Sequence, residues 1–141
     1  MELKELVTSL EISQQMKEAG IVQSSEFYWV RKIKDGEFVL QDHYIDRIIP
    51  CEVYSAFTAG ELGEMLPESF TNDEGIEFSL EFWKRDLGSD DKWHIAYWWD
   101  EDAIRKSDFY IIKCDAETLA DAMAKMLLHL KKEGLIGKEK I

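Results

Sequence analysis

The chain has 141 residues, 45% of them hydrophobic and 33% charged, with a formal net charge of −12. That length suits one domain, residues 1–141, able to bury about two thirds of its unfolded surface, and the apolar fraction excludes a disordered tail. The acidity disfavours direct contact with nucleic-acid phosphates or an anionic membrane surface and favours basic partners. It is concentrated in the middle: the balance is −3 over residues 1–50, −10 over 51–110 and +1 over 111–141.

In chain order, Thr8 and Glu11 have capping-box spacing, which predicts a helix over Ser9 to Ala19 with Ile12 and Met16 on its apolar side. Gly20 suits the left-handed position after it, and Ile21 the hydrophobic contact that follows. Glu26 to Ile33 is aromatic and β-branched, and the Asp35-Gly36 turn before Phe38, Val39 and Leu40 predicts a hairpin. The stretch from Asp42 to Tyr54 carries no clear signal, and Pro50 argues against a continuous central strand there.

Thr58 and Glu61 repeat the capping-box spacing and predict a short helix from Ala59 to Leu66. The clearest strand signal is Ile76 to Trp83, where Ile76, Phe78, Leu80 and Phe82 alternate with Glu77, Ser79, Glu81 and Trp83. Trp93, Ile95, Tyr97 and Trp99 alternate in the same way with His94, Ala96 and Trp98, so the two runs should pair antiparallel. A last strand is expected over Phe109 to Lys113. Asp115 or Thr118 then caps a final helix whose stripe is Leu119, Met123, Met126, Leu127 and Leu130, ended by Gly134. The expected fold is therefore α+β, a largely antiparallel sheet of about five strands covered by N-terminal and C-terminal helices.

Chemistry-bearing motifs are sparse. Cys51 and Cys114 have no CxxC spacing and read as two free buried thiols. His43, His94 and His129 lie on different elements without ligand spacing, and no Gly-rich phosphate loop or nucleophile elbow occurs. Asp100, Glu101 and Asp102 beside Trp98 and Trp99 lack the spacing of a calcium loop. No catalytic residue, metal ligand or cofactor is assigned; a carboxylate pair hydrolysing a sugar or other small molecule is the enzymatic alternative. The N-terminal residues lack a secretion signal and no apolar run approaches the roughly 20 residues of a membrane helix, so a cytoplasmic protein without membrane contact is expected.

The residues most suited to recognition are aromatic. Trp98 alternates to the face opposite Trp93, Tyr97 and Trp99. If no second layer covers that face, Trp98, Trp83, Tyr28 and Tyr110 form an exposed patch rimmed by Glu77, Glu81, Asp100, Glu101 and Asp102; if one does, the rings are core.

Three segments carry a resemblance: "LVTSLEISQQMKEAGIVQSSEFYWV" from Leu6 to Val30, "TAGELGEMLP" from Thr58 to Pro67 and "TLADAMAKMLLHLKKEGLI" from Thr118 to Ile136. With the Trp-rich strand between them, this pattern resembles a group of small uncharacterised proteins encoded by phages and prophages. The resemblance implies a mobile-element setting and no established reaction. With the acidic centre and the aromatic strands, it points to a non-enzymatic accessory protein that binds an unidentified protein partner, with homodimerisation as a further option. An acidic mimic of DNA that inhibits a host nucleic-acid-binding system is the alternative within the same setting.

Overall fold

A computed structural model describes residues 2–42, 52–71, 77–84, 92–99 and 110–136. After a 3-10 turn at Leu3–Glu5 come α1 (Leu10–Glu18), β1 (Phe27–Arg31), β2 (Val39–Gln41), β3 (Glu52–Ala56), α2 (Ala59–Met65), β4 (Ser69–Thr71), β5 (Glu77–Lys84), β6 (Trp93–Trp99), β7 (Tyr110–Ala116) and α3 (Leu119–Lys132). The fold is α+β with antiparallel pairing. Its described strands divide between two sheets, ordered β2-β1-β3 and β4-β5-β6-β7. The division has a local cause: β2 and β3 take both edges of β1, and α2 then carries the chain away before β4 starts a second meander.

The first hairpin forms with Val30 opposite Val39 and Tyr28 opposite Gln41. Asp35 takes the positive φ of its turn, at 66°. Gly36 follows because a Cβ there would meet Ile33 Cγ1 at 2.7 Å, while its own N–H donates to the Ile33 carbonyl at 3.0 Å. Side-chain volume, not backbone freedom, selects glycine at that position.

Helix α1 starts differently from the capping box expected of Thr8 and Glu11. Ser9 is the cap, accepting from the Ile12 N–H. Thr8 is fully buried, where its hydroxyl bonds Ser13 and accepts from the Phe57 N–H, and its carbonyl accepts from Trp29 Nε1 at 2.9 Å. A hydroxyl that can satisfy a buried amide on another element is worth more there than at an exposed helix end, where water competes. The carboxylate that closes a capping box comes from α3: Asp121 accepts from the Ser9 N–H at 2.8 Å. Thr118 caps α3 itself by accepting from the Asp121 N–H.

Both long helices end as the sequence predicts. Gly20 and Gly134 have φ of 84° and 70°, and the residue after each donates back to Met16 and Leu130 respectively, the paired closure that favours glycine. Ser9 meets Asp121 at one end, and a Cβ on Gly20 would lie 3.2 Å from Lys131 Nζ at the other, so α1 and α3 run parallel. Parallel helix dipoles repel. Asp121 between the two N-termini and Lys131 beside the C-terminus of α1 place the charges that offset this.

The core lies between α3 and the inner face of the four-stranded sheet. Ile95, Tyr97, Ile112 and Ala116 meet Met123, Met126, Leu127 and Leu130, with Phe57, Leu62 and Met16 closing the side toward α2 and α1. The Tyr97 hydroxyl ends on the Pro67 carbonyl at 2.6 Å, and burial pushes its pKa well above the ordinary 10.0. Among the described residues, no helix is long and apolar enough to cross a membrane.

Candidate interaction surface

The outer face of the four-stranded sheet carries most of the described residues expected in recognition. Pairing places its side chains in rows across the strands: Trp83, His94 and Asp115; then Glu81, Ala96 and Lys113; then Ser79 and Trp98, where the register toward β7 shifts. Glu77 continues the face at the start of β5. Strand alternation accounts for the grouping, since every one of these positions has the opposite parity to the core residues on its own strand.

Trp83 is the organised centre of this face. Its ring stacks on His94 with centroids 5.6 Å apart and planes 16° apart, and Lys113 Nζ lies 5.7 Å from its centroid. Trp83 is half-buried, while His94 beneath it is buried at 3% exposure. Contacts with an imidazole and an ammonium restrict the rotamers of the indole before any partner arrives, so binding through it costs less ordering entropy. Ala96, between Glu81 and Lys113, is small and leaves the two longer side chains room to extend over it. Glu77 is exposed and Glu81 half-buried.

The expected site residues do not all gather here. Trp98 is on this face but buried, at 9% exposure, two rows from Trp83, so it is not part of an exposed patch. Tyr28 lies on β1 of the other sheet, half-buried, with its hydroxyl accepting from the Ser25 N–H. Tyr110 pairs through its backbone with Trp98. Asp100, Glu101 and Asp102 lie outside the described residues, as do His43 and Cys51. His94 and Lys113 were not singled out for this surface, although the alternation of β6 already put His94 beside Trp98. The position of Lys113 depends on the β6–β7 register, which is set by partners across a long connection.

A second concavity lies where the N-termini of α1 and α3 meet the end of β7. It is an open cleft of about 430 Å³, lined by Glu11, Gln15, Asp115, Glu117, Asp121, Lys92 and Lys125 together with Ser9, Ile12 and Ala116. Its charges are largely answered within it. Asp121 is committed to the Ser9 N–H, Lys125 donates to the Asp115 carbonyl at 3.0 Å, and Lys92 approaches the Asp115 carboxylate at 3.9 Å. Cys114, the described thiol, is half-buried on the inner face; burial pushes its pKa up, against the pull of Lys125. Among the described residues, no group of three or more His, Cys, Asp or Glu is placed to hold a metal ion.

No protein-family model matches the chain, and no curated protein or solved structure matches it with significance.

Proposed function

We propose that this chain is a non-enzymatic accessory protein of a phage or prophage that acts in the cytoplasm by binding another protein, through the outer face of its four-stranded sheet. The observation that carries this reading is Trp83, stacked on His94 with Lys113 over its ring, with Glu81 in the neighbouring row and Asp115 in its own. A rigid tryptophan flanked by carboxylates has the make-up of a binding hot spot for a basic, partly apolar segment. The mobile-element setting rests on the sequence resemblance at both ends of the chain. The DNA-mimic alternative fits this face less well, because Lys113 interrupts the carboxylates and a half-buried indole is not a phosphate substitute.

The test is capture from a host lysate with three proteins: the wild type, a Trp83→Ala/Glu81→Lys variant, and an Ile33→Ser control altered at the exposed hairpin. The expected result is a protein recovered by the wild type and the control and lost by the double variant. Recovery of the same proteins by all three removes the Trp83 face as the binding site.

A further inference from the structure

We infer that a second copy of this chain adds to the outer edge of β4, joining two four-stranded sheets into one antiparallel sheet about a two-fold axis at Phe70. The inference is independent of the Trp83 surface. It rests on backbone direction, on the side chains of β4 and on the contrast with the outer edge of β3.

The two sheets end differently. On the outer edge of β3, Lys17 Nζ donates to the Val53 carbonyl, the Ser55 N–H donates to Gln23, and the Phe57 N–H donates to the Thr8 hydroxyl. Side chains from α1 and the residues flanking it thereby close that edge to another strand. On β4 the backbone direction follows from one hydrogen bond. Leu80 N–H donates to the Glu68 carbonyl at 2.9 Å, so Glu68 and, two residues on, Phe70 turn their backbone groups toward β5. Ser69 and Thr71 turn theirs the other way. Among the described residues, β4 pairs with β5 alone, and no side chain caps Ser69 or Thr71 on the outer side.

The residues of this edge select a register. Hydrogen-bonded pairs across a new antiparallel edge must join outward-facing residues. An axis at Phe70 places Ser69 opposite Thr71 of the second copy, and symmetry makes that pair twice, each exchanging both N–H···O bonds. Shifting the axis to Ser69 would put Thr71 against Pro67, which has no N–H to give, and shifting it to Thr71 would put Ser69 beyond the end of the second strand. Both paired side chains are exposed and uncharged, and Ser and Thr are favourable cross-strand neighbours. On the opposite face Phe70, half-buried against Phe78 and Tyr97, meets Phe70 of the second copy as a non-hydrogen-bonded pair, the closer spacing at which aromatic rings touch. Each copy carries a net charge of −12, so repulsion opposes the contact and salt strengthens it. One short strand per copy is a small contact, so the dimer is weak and reversible.

The experiment is sedimentation of the full chain from about 1 µM to about 1 mM, a span bracketing weak association, at low and high sodium chloride, with circular dichroism confirming that each variant is folded. The wild type is expected to associate with concentration, more strongly at high salt. Thr71→Pro removes an outward N–H that the β4–β5 ladder does not use, and is expected to weaken association roughly tenfold. A second measurement reads the register. In a Cys51→Ser/Cys114→Ser background, Ser69→Cys and Thr71→Cys chains are oxidised with diamide, separately and mixed. The mixture is expected to cross-link faster than either chain alone, because the register sets position 69 against position 71 with Cα atoms about 5.5 Å apart, inside the disulfide range. A monomer at every concentration and salt overturns the inference. So does Thr71→Pro associating like the wild type, or a mixture that cross-links no faster than its components.

Discussion

The two faces of the four-stranded sheet use the same strands in the same register for different ends. On the inner face Ile95, Tyr97, Ile112 and Ala116 are sealed beneath α3, and the polar atom of the largest residue, the Tyr97 hydroxyl, has a backbone acceptor. On the outer face Glu81, Trp83, His94 and Lys113 alternate charge with aromatic surface, and the central ring is only half-buried. One face is composed for stability. The other buries His94, Ala96 and Trp98 and leaves Trp83 and Glu81 half-buried and Glu77, Lys113 and Asp115 exposed. The comparison predicts that substitutions on the inner face change folding first, and that those on the outer face change binding before folding.

The largest expected effect is on the inner side. Leu127→Ala, in the fully buried stripe of α3, should cost about 2–5 kcal/mol of unfolding free energy in urea titration, through lost transfer energy and an unfilled cavity. Asp121→Ala should cost about 1–2 kcal/mol by the same measurement, because it leaves the Ser9 N–H without its acceptor and two parallel helix N-termini without their shared negative charge. An Asp121→Asn variant, which keeps an acceptor and loses the charge, should recover part of that loss.

Tyr97→Phe is next, at about 1 kcal/mol for the lost hydroxyl and the stranded Pro67 carbonyl. It also sharpens the comparison through pH. Burial raises both the Tyr97 and Cys114 pKa values above their ordinary 10.0 and 9.0, so in alkali the unfolded chain loses these protons before the folded chain does. The unfolded state then binds fewer protons, and stability falls as pH rises. The contribution of the two groups is whole below about pH 8 and declines from about pH 9 upward. Urea midpoints across that range should show the decline, and Tyr97→Phe should make it shallower. The smallest effect belongs to the outer face: Glu77→Lys, exposed, should leave stability within about 0.5 kcal/mol and weaken capture of a basic partner.

Much of the inner architecture was legible in the sequence. The glycine closures at Gly20 and Gly134, the Thr58 box, the Asp35-Gly36 hairpin and the alternation of β5 and β6 are all local, set by residues within a few positions of each other. What was not legible depends on distant partners. Ser9 replaces Thr8 as the cap because Phe57 and Trp29 claim Thr8 and Asp121, far along the chain, completes the box. The division into two sheets follows from β3 returning to β1, which no local pattern signals. At the candidate surface, alternation placed Glu77, Glu81, Trp83 and Trp98 on one face, but not the burial of Trp98 or the stacking of Trp83 between His94 and Lys113. Those are set by neighbours across the strands.

The separation of folding from recognition is tested most directly by the Trp83→Ala/Glu81→Lys variant, measured for urea stability and for capture of the wild-type partner on the same preparation. The account predicts a cooperative unfolding transition that costs less than Leu127→Ala, together with loss of the captured protein. Undiminished capture by a folded variant would contradict it.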